Sequence, residues 1–135
     1  MQEIIAISTS KKQELIDITD QVNAIVRKSK VKQGLCNVFT MHATAAIIIN
    51  ENADPNICSD TIDALDKIIK EGVWRHDKID GNADAHIKAS ILGPSEMIPI
   101  KDGKLQLGRW QSVVFCELDG PRSNRKIIVA IMPLG

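Results

Sequence analysis

Arg125-Lys126-Ile127-Ile128-Val129-Ala130-Ile131-Met132 is a near-continuous apolar run close to the C-terminal end of the chain, and its reading decides the fold. Isoleucine and valine dominate it, which favours a strand over a helix. A run with so little alternation reads as a strand buried on both faces. Before it, Asp119-Gly120-Pro121-Arg122 is a turn, and Ser112-Val113-Val114-Phe115-Cys116-Glu117-Leu118 is another strand. Further back, Glu96-Met97-Ile98-Pro99-Ile100 is a strand whose proline favours a sheet edge. Lys101-Asp102-Gly103-Lys104 is a hairpin turn, its Asp-Gly pair suited to positive φ, and Leu105 and Leu107 alternate with polar neighbours after it.

The N-terminal half repeats this texture. Glu3 to Ser8 and Glu14 to Ile18 flank the polar turn Ser10-Lys11-Lys12, and Leu35 to Met41 and Ala45 to Asn50 are two more strands. Helices interrupt them. Thr19 is expected to cap a helix with Val22, Ile25 and Val26 on one face and Arg27, Lys28 and Lys30 at its end. Asp54-Pro55 is a strong helix start, followed by Cys58, Ile62, Leu65 and Ile69 at helical spacing and stopped at Gly72. Gly81 to Gly93 bounds a short third helix. Strands outnumber helices and hairpins dominate, so the chain is α+β with a mostly antiparallel sheet system, two main helices and one short one.

The totals fit one domain spanning residues 1–135. The apolar share, 44%, and the charged share, 25%, are those of an ordinary globular chain, and with no Tyr, two Trp and two Phe the core must be aliphatic. Seventeen basic and seventeen acidic side chains cancel, which argues against nucleic acid as a partner. Three widely spaced cysteines, at 36, 58 and 116, do not suit a secreted disulfide framework. Neither a signal peptide nor an apolar stretch long enough for a membrane is present, so the expected location is cytoplasmic.

Chemistry-bearing residues fall in five places. His42 ends a strand beside small residues, with the Thr44 hydroxyl two positions on; a structural histidine fits there too. Asp54 at the second helix start reads as a cap. In the third helix Asn82, His86 and Ser90 recur at i, i+4, i+8, beside an apolar line of Ala83, Ile87 and Ile91. Asp84 and Lys88 form an i, i+4 pair. That pattern suits one wall of a pocket and suits a solvated face equally well. His76 and Asp77 lie close by in sequence, and with Cys116 an N/O/S set for zinc is conceivable. Gly108-Arg109-Trp110-Gln111 offers a cation and a flat ring, or a packed hairpin entry. Glu117, Asp119 and Arg122 can be read as surface ion pairs of little weight. The Gly-rich dinucleotide loop, the P-loop, the Gly-x-Ser-x-Gly elbow and Cys-x-x-Cys are all absent, which removes the commonest enzyme classes.

Several segments together resemble a known family. Met41 to Ala46, Asn50-Glu51-Asn52-Ala53-Asp54-Pro55, Asn82 to Gly93, Leu105 to Gln111 and Phe115 to Arg122 are similar, in order, to the motifs of the YjbQ type, described as secondary thiamine-phosphate synthases. The resemblance implies an α+β β-sandwich that assembles as a homotrimer. It also implies weak joining of hydroxymethylpyrimidine diphosphate to thiazole phosphate with release of pyrophosphate. Ala43 stands where the family usually has Thr, and Arg109 where Thr usually precedes Trp-Gln. On this resemblance His42, His86, Asn82 and Asp84 are candidate catalytic residues. Thr44, Lys88, Ser90, Arg109, Trp110, Gln111 and Arg122 are candidate contacts to substrate and phosphate. Diphosphate chemistry calls for Mg²⁺, whereas His42, His86 and Cys116 would make a Zn²⁺ set. Two other readings stand beside it: a metal-dependent enzyme on another small phosphorylated or heterocyclic substrate, and a non-catalytic trimeric binding protein.

Overall fold

A computed structural model describes residues 1–135. In chain order it contains β1 (Gln2–Ile7), β2 (Glu14–Asp17), α1 (Thr19–Ser29), β3 (Gln33–Thr40), β4 (Ala45–Asn50), α2 (Pro55–Ile68), a 3₁₀ turn (Arg75–Lys78), α3 (Ala83–Leu92), β5 (Ser95–Lys101), β6 (Lys104–Leu105), β7 (Ser112–Glu117) and β8 (Arg125–Pro133). Every strand pairing is antiparallel. A five-stranded sheet in the order β1-β8-β3-β5-β6 faces a three-stranded sheet in the order β2-β7-β4. This is the expected α+β sandwich. Between the sheets lie Val38, Ile98, Ile127 and Val129 from one side and Ile47, Val113 and Phe115 from the other, with Val22, Ile25 and Val26 of α1 packed in. Each such aliphatic side chain contributes about 1.5–3 kcal/mol on burial.

Two local expectations change. Asp17, not Thr19, serves the start of α1: its Oδ1 accepts from Thr19 N–H at 2.9 Å, while the Thr19 hydroxyl accepts from Val113 N–H at 2.9 Å. The run Arg125 to Met132 is not buried on both faces in the single chain. Arg125, Ile127, Val129 and Ile131 point inward, but Ile128 and Ala130 are only partly covered and Met132 is exposed. The sandwich has one interior, so the outer face of β8 lies open together with Ile4, Phe39 and Met97.

Gly34 allows a close approach of the β8 backbone to β3. A Cβ there would overlap Met132 O and lie 3.0 Å from Val31 Cγ1. Gly34→Ala is therefore expected to cost about 1–3 kcal/mol by prising the pair apart. Urea unfolding should show a lower midpoint with an unchanged slope; an unshifted midpoint would contradict the close approach.

Candidate functional site

Four pieces of chain meet at one end of the sandwich. Thr9 N–H donates to Arg122 O at 2.8 Å, Gly120 N–H to Lys12 O at 2.9 Å and Leu118 N–H to Thr44 O at 3.2 Å. Asn82 Nδ2 donates to Asp119 Oδ2 at 2.8 Å. The β1–β2, β3–β4 and β7–β8 loops are thus tied to each other and to the start of α3. Gly120 permits this, because a Cβ there would collide with Lys11 O.

Beneath the loops sits a buried ion pair. Glu117 is 1% exposed and Arg125 4%. Arg125 Nε donates to both Glu117 carboxylate oxygens, at 2.9 and 3.2 Å, and its Nη2 donates to Glu117 Oε2 and, at 2.9 Å, to Thr44 Oγ1. Glu117 also accepts from Thr9 Oγ1 at 2.6 Å and from the N–H groups of Leu118 and Asp119. Burial pushes the Glu117 carboxyl up, but the Arg125 bonds, the Thr9 hydroxyl and the Asp119 N–H outweigh it and hold the carboxyl below the usual range. Thr44, expected to touch substrate, is instead 8% exposed and serves this pair. Neither Glu117 nor Arg125 reads as a site residue in the sequence, yet a signal exists. Glu117 is in phase with Val113 and Phe115, and Arg125 with Ile127 and Val129, so alternation already points both charges inward.

His42 lies against the same pair. Its Nε2 accepts from Lys126 N–H at 2.9 Å. Burial, and after it the Arg125 charge, lowers its pKa from 6.5, so the ring is neutral at pH 7 with its proton on Nδ1. Arg122 is half-exposed; its Nε and Nη2 donate to Asp119 O and Oδ2, both at 3.0 Å. Asp119 thereby bridges Arg122 to Asn82. Through Thr9, whose Oγ1 accepts from Arg122 N–H at 2.9 Å, the network runs unbroken from Thr44 to α3.

In α3 the polar row divides. Asn82 and His86 are half-buried, and the His86 ring meets the His76 ring edge-on, with centroids 5.0 Å apart. Ser90 is exposed and returns its hydroxyl to Ile87 O at 2.8 Å. It does not line the cluster, because helical rotation carries it onto the outer side with Ile91, which is 64% exposed. The buried face is Ala83, Asp84, Ala85, Lys88 and Ala89. Lys88 is not available to phosphate: its Nζ donates to Asp66 at 2.6 Å, Gln13 at 3.1 Å and Asp84 Oδ2 at 3.3 Å, which uses all three N–H groups. Asn82 Oδ1 and Asp84 Oδ1, by contrast, are buried and accept no hydrogen bond within the chain.

The remaining candidates stand apart. Arg109 lies over the Trp110 ring at 5.1 Å, Trp110 is 60% exposed, and Gln111 Oε1 closes the loop by accepting from Gly108 N–H at 2.8 Å. This loop enters β7 at Ser112, while the Glu117–Arg122 turn leaves from its other end, about 17 Å away at ~3.4 Å per residue. Of the expected phosphate contacts, Arg109 and Arg122 therefore do not share a pocket within one chain, and Lys88 is already engaged. Cys116 is packed with Ala46 and Val114, and burial pushes its thiol up to about 12, far from a thiolate ligand. No three His, Cys, Asp or Glu side chains gather in metal-binding geometry, so His42, His86 and Cys116 do not form a zinc set in the single chain. No helix is long and apolar enough to cross a membrane.

Comparison with known proteins groups the chain's sequence and fold with one family. The family model described as UPF0047 protein YjbQ-like matches residues 3–134. A UPF0047 protein of Methanocaldococcus jannaschii is 46% identical over 93% of this chain and 90% of its own length. The UPF0047 protein YugU of Bacillus subtilis is 38% identical over 92% of this chain and 94% of its own. A crystal structure of a YbjQ-like protein of unknown function from Sulfolobus solfataricus P2 superposes with a TM-score of 0.96 at 41% identity, covering 99% of this chain and 97% of that one. The chain belongs to the YjbQ-like UPF0047 family.

Proposed function

We propose that the loop end of the sandwich is an active site for a small phosphorylated substrate, and that thiamine-phosphate synthesis is a reaction it supports. The observation that carries this reading is the buried, unpartnered acceptor Asn82 Oδ1, whose Nδ2 is bonded to the same Asp119 oxygen that holds the half-exposed Arg122. Leaving such a group unmatched costs about 1–3 kcal/mol, a cost that a cation-bearing ligand would relieve. An amide oxygen such as Asn82 Oδ1 suits a hard cation such as Mg²⁺, which binds through one or two protein oxygens plus substrate phosphate. When bound, Mg²⁺ would offset the charge of a departing diphosphate. Arg122 would hold the phosphate, Asp119 would aim Arg122 and Asn82, and His42 would keep its proton on Nδ1.

The test is product formation from hydroxymethylpyrimidine diphosphate and thiazole phosphate with Mg²⁺. Asn82→Ala and Arg122→Ala should each lower kcat/KM by roughly 10²-fold, the usual effect of one lost electrostatic contact. Absence of product, with turnover on a different phosphorylated compound, would move the substrate while keeping the site. Wild-type rates in both variants would remove the site.

Assembly belongs to the same proposal. Ile4, Phe39, Met97 and Met132 form an exposed apolar band across the outer face of the five-stranded sheet, and such bands mark contact surfaces. We assign it to contact between copies in a homotrimer, which would let one copy's Arg109–Trp110 loop reach another's site. Met132→Glu should reduce the sedimenting species from trimer to monomer; a wild-type protein that sediments as a monomer would reject the assembly.

A further inference from the structure

Beside the polar cluster lies a different surface. A cleft of about 320 Å³ is lined by Trp74, His76, Ala83, His86 and Ile87. Its walls are mostly apolar or aromatic. Its principal polar handles are two imidazoles, and neither makes a hydrogen bond through its ring within the chain; Asp80 Oδ2 lies 3.8 Å from His76 Nε2, beyond hydrogen-bond reach.

The aromatic wall is held in place. Trp74 Nε1 donates to Lys70 O at 2.6 Å. Asp77 Oδ2 accepts from Trp74 N–H at 3.0 Å, and its Oδ1 accepts from Ala83 N–H, also at 3.0 Å. One carboxylate therefore ties the 3₁₀ turn to the first turn of α3. With its N–H already engaged on the backbone, the indole has only its π-face to offer. Trp74 is 39% exposed, so that face is partly open. His76 and His86 stand edge-to-face at 5.0 Å, which orients the two rings relative to each other.

We propose that this cleft binds a flat, uncharged heteroaromatic ring whose edge carries a donor beside an acceptor, as in a 4-aminopyrimidine. The ring would lie against Trp74 while the imidazoles, each presenting one donor and one acceptor when neutral, meet its edge. Fixed aromatic walls with a few convergent polar groups are the usual make-up of such sites, and the pre-set Trp74 limits the ordering cost of binding. His86 belongs to this cleft and, one helical turn earlier, Asn82 to the polar cluster, so a ring held here would direct its substituent toward Arg122. Asp77 is a positioning residue. The inference rests on the proposed site in placing the phosphate end, but ring binding is separable from turnover.

The chain has two Trp and no Tyr, so in a Trp110→Phe background all indole emission comes from Trp74. Titration with 4-amino-2-methylpyrimidine should give saturable quenching. Ligand-observed NMR should show affinity falling at least tenfold in His86→Ala and recovering in part in His86→Gln. Asp77→Asn should weaken binding while the circular dichroism spectrum stays unchanged. Unsaturable quenching, or wild-type affinity in folded His86→Ala and Asp77→Asn, overturns the assignment. Ring binding without synthase turnover leaves the cleft and rejects the reaction. Unchanged kcat/KM for the diphosphate in folded His86→Ala leaves the reaction and rejects the cleft.

Discussion

Arg125→Met is expected to lower the free energy of unfolding by about 3–5 kcal/mol, the range for stripping one partner from a buried ion pair. The substitution keeps most of the side-chain volume but leaves Glu117, 1% exposed, as a buried carboxylate without its cation. The Thr44 hydroxyl loses its donor at the same time. A double variant, Glu117→Gln with Arg125→Met, removes the stranded charge and should recover a large part of the loss, though not all. Thr9 and the N–H groups of Leu118 and Asp119 still need an acceptor. Urea unfolding of wild type, both single variants and the double forms the cycle. Additive losses would show that the pair contributes no coupling.

The same pair sets a pH dependence. The folded Glu117 carboxyl lies below its ordinary value, so its contribution is present above about pH 4.3 and fades as pH falls through the folded value. His42 acts in the same direction. Its folded pKa lies below 6.5, so as pH drops past 6.5 the unfolded chain takes a proton first and stability declines until the folded ring titrates. Arg125→Met removes the positive charge that, after burial, contributes to that depression. The His42 ring resonances should then titrate closer to pH 6.5, an effect that NMR reads independently of unfolding.

Much of the sandwich was legible from local pattern. Ala45–Asn50 is the strand its β-branched run describes, and Asp54 and Pro55 open α2 as their chemistry requires, with Asp54 Oδ1 accepting from Asn56 N–H at 2.9 Å. Asp102 and Gly103 both adopt positive φ in the hairpin turn. What local pattern missed depends on partners distant in sequence. Asp84 and Lys88 have the spacing of a solvated pair, and only the arrival of Gln13 and Asp66 from other elements lets both go inside. The small side chains Ala85 and Ala89 then bring α3 close against Leu118. Ile91 is apolar and helically spaced yet faces out, because burying Lys88 turned the helix. The candidate site was half legible for the same reason: His42, Asn82, His86 and Arg122 gather at one end, whereas Arg109 and Trp110 stand at the other end of β7.

That rotation of α3 makes Lys88 the second sensitive position. Lys88→Met is expected to destabilise the protein by about 3–5 kcal/mol, because Asp84, 2% exposed, is left as a charge with neither of its oxygens bonded. Asp66 also loses the bond that, with Gln13, holds its carboxyl below the usual range against the effect of its partial burial. Since Asp66 lies on α2, which has no fully buried residue, Lys88 is a main tie between α2 and α3. Hydrogen exchange should therefore show faster exchange across Pro55–Ile68 than across the strands. Asp84→Asn provides the contrast. It keeps an acceptor for Lys88, whose charge stays paired with Asp66, and should cost much less than Lys88→Met. Its unfolding midpoint should therefore lie close to wild type, well above that of Lys88→Met. Equal destabilisation by the two variants would mean that packing around α3, rather than an uncompensated carboxylate, sets the cost.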